Sequence, residues 1–146
     1  MENTAKINGM NMEISAKQAV EIAKLIKYKS IKKSMSILQN VLDMKEAVPM
    51  RKYNRDTGHK TGIGPGRYPQ KASKAVFKLL GSLEANAVKK GLNADSLIIT
   101  KAIANRASRP WHTGRHRGRK MRRAHLYLEA AEMKNQTKPE QSQPKK

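Results

Sequence analysis

Between Arg106 and Arg123 the chain carries seven arginines and one lysine and no acidic residue. This stretch constrains the fold more than any other, because cations without partners cannot be carried into an apolar interior. Whatever core the protein builds must lie on either side of it. Trp111, Gly114 and Gly118 interrupt the run, whereas a solvated surface run ordinarily mixes signs. Arginine offers a planar fork that pairs with phosphate through two hydrogen bonds and also stacks on bases, and an indole can stack on an unpaired base or a sugar. That mixture suits folded RNA. A structureless basic loop is the plainer alternative. Against it stand the two strand-like segments that flank the run, Leu97 to Asn105 and His125 to Ala130, which hold its ends together as the arms of a long hairpin.

The rest of the composition points the same way. Thirty-one Lys+Arg stand against eleven Asp+Glu, a net charge of +20 in 146 residues, and a chain with that self-repulsion ordinarily meets a polyanion. An anionic membrane surface would require a basic amphipathic helix with large apolar residues opposite its charges, or a lipid anchor, and neither is evident. No stretch approaches the ~20 apolar residues of a membrane span. Glu2, Asn3 and Asn8 break the basic-then-apolar order of a signal peptide, so a cytosolic protein is expected. The absence of cysteine excludes disulfides, thiolate catalysis and Cys-ligated zinc.

The length suits one domain, expected over residues 1–134. From Asn135 to Lys146 the chain is too polar to offset its ordering entropy and is expected to be a disordered tail. Met10, Met12 and Ile14 alternate with Asn11 and Glu13, the period of a half-buried strand. Ser15 and Gln18 match a capping box ahead of a helix over Ala16 to Tyr28, with Ala19, Ile22, Ala23 and Ile26 on its apolar face. A second helix starts after Ser30, buries Ile31, Met35, Leu38, Val41 and Leu42, and ends before Pro49; the two are expected to form a helical hairpin. After Pro69 a longer stripe, Ala72, Ala75, Val76, Leu79, Leu80, Leu83 and Ala87, predicts a third helix closed by Gly91.

Residues 49–69 lose this periodicity and read as a second basic loop, in which Arg51, Lys52, Tyr53, Arg55, His59, Lys60, Arg67 and Tyr68 are candidate RNA contacts. In the first-named run the candidates are Arg106, Arg109, Trp111, His112, Arg115, His116, Arg117, Arg119, Lys120, Arg122 and Arg123. Gly62-Ile63-Gly64-Pro65-Gly66 has neither the spacing nor the lysine ending of a nucleotide-binding loop. His112 and His116 have no further ligand close in sequence, so no metal is expected. The eleven acids are scattered, and no catalytic set, cofactor or small-molecule substrate is expected.

Ile14-Ser15-Ala16-Lys17-Gln18-Ala19, Ala47-Val48-Pro49, Gly66-Arg67-Tyr68-Pro69, Lys71-Ala72, Glu84-Ala85-Asn86-Ala87 and Lys90-Gly91-Leu92 follow one another in an order that resembles the large ribosomal subunit protein twenty-two family. The resemblance runs from about Met12 to Glu129. Thr57-Gly58-His59-Lys60 together with Gly66-Arg67-Tyr68-Pro69 is similar to the archaeal and eukaryotic branch, and an archaeal source is implied. The resemblance implies an α+β fold, a small three-stranded antiparallel sheet packed on three helices with a long extended β-hairpin, in agreement with the elements above. It implies a structural, non-enzymatic protein of the large subunit in the cytoplasm. Such a protein binds large-subunit ribosomal RNA, contacts several of its domains during assembly beside neighbouring ribosomal proteins, and lines the exit tunnel of the nascent polypeptide with residues 106–123. The span between the hairpin strands is several residues shorter than is usual in the family. Assignments within it therefore rest on charge and stacking chemistry, with the tip between Trp111 and Gly118.

Overall fold

The longest apolar stripe belongs to the helix around which the other elements are arranged. In the computed structural model, which describes residues 4–132, α3 (Gln70–Lys89) buries Ala72, Ser73, Val76, Leu80, Leu83 and Ala87, a face repeating every three or four residues. Pro69 stands just outside as the N-cap. At the other end the amide of Leu92 donates to Ala87 O and that of Gly91 to Val88 O. This closure needs a left-handed residue, supplied by Gly91 at φ +75°.

Against the helices lies an antiparallel sheet of β1 (Thr4–Met12), β6 (Ala124–Glu132) and β5 (Leu97–Arg106), in the order β1-β6-β5. The central strand turns Ala124, Leu126, Leu128 and Ala130 into the core and Tyr127 outward. α1 (Ala16–Ile26) packs on β5, α3 on β1, and α2 (Ile31–Leu42) along α3. The core they enclose includes Ile22, Ile26, Leu38, Val41, Leu80, Leu83, Leu97, Ile99, Leu126 and Leu128, each contributing ~1.5–3 kcal/mol by burial. The α+β architecture is the expected one. The predicted disordered tail from Asn135 lies outside the described residues.

Several local expectations are corrected. Opposite β6, the β1 register passes from Gly9–Leu126 to Met12–Ala124, so one extra residue is absorbed in a bulge at Met10-Asn11, with Asn11 at φ +49°. Ala5, Ile7 and Gly9 take the inner face before it and Met12 after it, while Met10, expected inside, is 64% exposed. Gly9 lies close to its neighbours there: an added Cβ would meet Met12 Sδ at 2.6 Å and Leu79 Cδ1 at 2.7 Å, so the ends of those two side chains would have to shift. Ser15 caps no amide of α1 with its side chain, so the capping box does not form. Ser30, by contrast, accepts from the Lys33 amide at the start of α2.

α1 and α2 do not form a packed hairpin. α1 ends at Ile26, and the connector turns at Tyr28 (φ +64°) and docks on the edge of β5, with Tyr28 N donating to Ile99 O and Ile99 N to Lys29 O. Finally, the loop 49–69 is not structureless. It holds β2 (Val48–Pro49), β3 (His59–Lys60) and β4 (Gly64–Arg67), paired antiparallel in the order β2-β4-β3.

Candidate nucleic-acid interface

The basic loop is fastened to the core by an acid. Glu21, on α1, is 2% exposed; its Oε1 accepts from the amides of Lys52 and Tyr53 at 2.8 Å each, and its Oε2 from that of Arg51 at 3.3 Å. Three consecutive amides closing on one carboxylate form a cradle in which charge-assisted bonds replace lost hydration. The loop is tightened further by Arg55 Nε donating to Arg51 O, Thr57 Oγ1 to Asn54 O, and Arg67 Nε to Thr57 Oγ1 at 3.0 Å. Met50, 2% exposed, pins its beginning into the core. His59 and Lys60 form β3 and are exposed.

The aromatic residues of the interface already carry cations. Lys17 and Lys52 lie 6.0 and 5.6 Å from the Tyr53 ring, Lys60 lies 5.6 Å from Tyr68, and Lys120 lies 4.6 Å from Trp111. Trp111 remains 57% exposed, so part of the indole is open to a stacking partner.

The regular ladder of β5 and β6 ends at the Arg106–Ala124 pair. The strands stay together through Ala107 N to Arg123 O, Met121 N to Pro110 O and His112 N to Arg119 O, with a Trp111–Lys120 bridge. The chain then reverses through a short 3-10 turn at Gly114–His116, with Gly114 at φ +70°. Residues 108–120 are all exposed. Arg115, Arg117 and Arg119 have no ion-pair partner among the described residues; within the segment only Arg123 meets an acid, Glu13, at 3.0 Å.

The two basic segments, far apart in sequence, meet. A recess of about 330 Å³ is lined by Arg67 from the loop, by Arg106, Arg109, Arg122 and Arg123 from the base of the hairpin, and by Asn54 and the first turn of α1, Ser15 to Gln18. No acid lines it. A neighbouring hollow of about 320 Å³ shares Arg122 and Arg123 and is bordered by Glu13, Lys71, His112 and Met121. The other predicted contacts do not line the recess: Arg51, Lys52, Arg55, His59 and Lys60 stay on the loop, and Arg115, His116, Arg117, Arg119 and Lys120 on the outer part of the hairpin. Among the described residues no three His, Asp or Glu side chains gather as a metal site.

Glu21, Asn54, Ser15, Gln18 and Lys17 also belong to this face, although nothing in the sequence marks them as RNA contacts. The available signal for Glu21 was an acid next to Ile22 on an otherwise apolar helix stripe. The shifted titrations lie elsewhere. On the outer face of the sheet, Tyr127 Oη donates to Glu129 Oε2 at 2.8 Å and Lys101 Nζ approaches the same oxygen at 3.2 Å. The Tyr127 hydroxyl, and then Lys101, hold the Glu129 carboxyl below its ordinary range against the effect of burial, while Glu129 pushes Tyr127 up. Asp95 raises Lys32 by a hydrogen bond.

Comparison with known proteins adds to this geometry. The family model described as ribosomal protein L22p/L17e matches residues 7–133. Three archaeal proteins named large ribosomal subunit protein uL22 are similar to the chain. That of Thermofilum pendens is 44% identical over 106 residues, 72% of this chain and 70% of the relative. That of Archaeoglobus fulgidus is 43% identical over 105 residues, 70% and 68% of the two chains. That of Nanoarchaeum equitans is 38% identical over 143 residues, 92% and 82%.

Proposed function

The chain belongs to the ribosomal protein L22p/L17e family, in its archaeal type, and is a structural protein of the large ribosomal subunit rather than an enzyme; from this premise we propose that it binds large-subunit ribosomal RNA through one composite basic face. The observation that carries the reading is the meeting of Arg67 with Arg106, Arg109, Arg122 and Arg123 around a recess free of acids. A cationic concavity of this kind repels itself until phosphates neutralise it, and its affinity comes mainly from release of counterions. Residues 1–134 act as one RNA-binding domain. The loop contributes Arg51, Lys52, Arg55, His59 and Lys60, and the hairpin contributes Trp111, His112, Arg115, His116, Arg117, Arg119 and Lys120.

The hairpin extension, exposed along residues 108–120, is shaped to reach between RNA helices. With its turn at Gly114–His116 it extends at most about 30 Å beyond the sheet. In our reading it takes part in folding several RNA domains during assembly, beside neighbouring ribosomal proteins, and its tip lines the exit tunnel against the nascent polypeptide in the cytoplasmic ribosome.

Sedimentation of the tagged protein through a gradient of cell lysate, in low and then high salt, tests the reading. Salt-resistant co-migration with the large subunit is expected. A protein left at the top of the gradient, or equal affinity for duplex DNA and structured RNA at moderate salt, would overturn it.

A further inference from the structure

We infer that the recess between β4, the base of the hairpin and the first turn of α1 holds one ribose-phosphate unit of an RNA backbone, and so joins the two basic segments into a single site. The inference rests on the RNA-binding reading and deepens it.

The donors are arranged for an oxyanion. Arg67 and Arg109 are each anchored through Nε, to Thr57 Oγ1 at 3.0 Å and to the Met121 carbonyl at 3.1 Å. That grip orients the guanidinium and leaves its two terminal nitrogens, the fork that pairs with phosphate, without a partner among the described residues. Arg123 is held by its terminal nitrogens, to Asn11 O and Glu13, and serves as the wall. The side chains of Arg106 and Arg122 line the recess with no hydrogen-bond or ion-pair partner among the described residues. Bringing five guanidinium groups together is unfavourable by itself, and the anchors hold three of them in place before any ligand arrives. The first amides of α1, uncapped by the Ser15 side chain, add positive potential on the fourth side.

Size and lining choose between a bare ion and a nucleotide. A volume of about 330 Å³ is at the lower end of small-molecule pockets and well above what one phosphate fills. No aromatic side chain lines it, so a base would find only guanidinium planes to stack on, and a phosphate competes for those same groups. Ser15, Gln18 and Asn54 offer neutral donors and acceptors that match ribose hydroxyls, including the 2′-hydroxyl that separates RNA from DNA. The contact is therefore one that positions the backbone without reading sequence.

Two measurements on the full chain test this. In the first, the Nε–H signals of Arg67 and Arg109 are followed by NMR at about 0.15 M salt during titration with an RNA hexamer lacking terminal phosphates, the DNA hexamer of the same sequence, and inorganic phosphate. Both signals are expected to move with RNA at concentrations about tenfold below those needed with DNA or phosphate. Equal response to inorganic phosphate would reduce the recess to a free-anion site, and no response to RNA would remove it. In the second, Arg106→Ala/Arg122→Ala is compared with Lys29→Ala/Lys33→Ala, which removes the same charge at the opposite end of β5. The first pair should lower affinity for large-subunit RNA about tenfold and reduce the salt slope by about 1.4 to 1.8, while the control shifts affinity less and keeps the slope. Identical behaviour of the two variants on an RNA that the unmodified protein binds well would overturn the recess and leave the functional reading standing. Failure of the unmodified protein to bind that RNA would remove both.

Discussion

The loop between β2 and α3 and the extension between β5 and β6 carry the same chemistry, basic residues spaced by glycines and aromatic rings, but they are held in opposite ways. Three amides of the loop close on the buried carboxylate of Glu21, Met50 is sunk in the core, and three short strands tie its ends. The extension is joined to the rest mainly near its base, and residues 108–120 are all exposed. The loop is thus organised by the folding of the domain, whereas the extension leaves much of its ordering to the partner, which lowers affinity per contact but lets it follow a surface it cannot anticipate. Charge alone does not distinguish these cases. A single acid in the right place does.

The largest effect is expected from removing that acid. Glu21→Ala leaves three amides without their acceptor, and urea unfolding should show a loss of about 3 kcal/mol, each orphaned group costing ~1–3 kcal/mol less whatever water recovers. A loss below about 1 kcal/mol would mean that the loop is held by its strands alone, and the contrast with the extension would collapse. Next, Arg115→Ala/Arg117→Ala/Arg119→Ala should leave stability within about 0.5 kcal/mol while flattening the salt dependence of RNA binding by roughly 2 to 2.7 in slope. An unaltered slope would show that these side chains touch no phosphate.

Trp111→Ala should weaken RNA binding by about 1 kcal/mol, the low end for a stacked base, because Lys120 lies near the ring. No change would mean that the indole only packs the lysine. Amide exchange sharpens the comparison directly: Lys52 and Tyr53 are expected to be protected in the free protein, and Arg117 and Gly118 only after RNA is added. Equal protection of both segments beforehand would erase the difference.

The smallest effect concerns the sheet from which the extension grows. Because the Glu129 carboxyl is held below its ordinary value by Tyr127 and Lys101, its contribution is fully present above about pH 4.3 and is lost as pH falls through the lower folded-state value. The urea midpoints of the unmodified protein and Glu129→Gln should therefore differ at pH 7 and draw together as the pH is lowered progressively below about 4.3. A constant difference would show that packing, not the ionised carboxylate, is what the substitution removes.

Much of this was legible in the chain. The stripes Val76, Leu80, Leu83 and Ile22, Ile26 lie where helical spacing put them, because large apolar side chains at that period have one way to leave water. The two basic segments and the strands flanking the second were equally plain, since uncompensated cations cannot go inside. The strands within 48–67 were not, because Gly64-Pro65-Gly66-Arg67 has no intrinsic strand preference and pairs only through neighbours that folding brings up. Nor was the bulge at Met10-Asn11, since slipping an alternating pattern by one residue changes its face without changing its period.

From the residues alone came the composition of the parts: an α+β core, two cationic segments that must stay outside, and a family resemblance that the comparisons bear out. Tertiary structure decided which parts meet. Glu21 lies thirty residues before the amides it holds, and Arg67 lies about forty before Arg106 and Arg109 and well over fifty before Arg122. No local pattern specifies such pairings. They follow from the packing of α1 on β5 and the pairing of β5 with β6, long-range contacts whose energy is realised only once the whole core has closed.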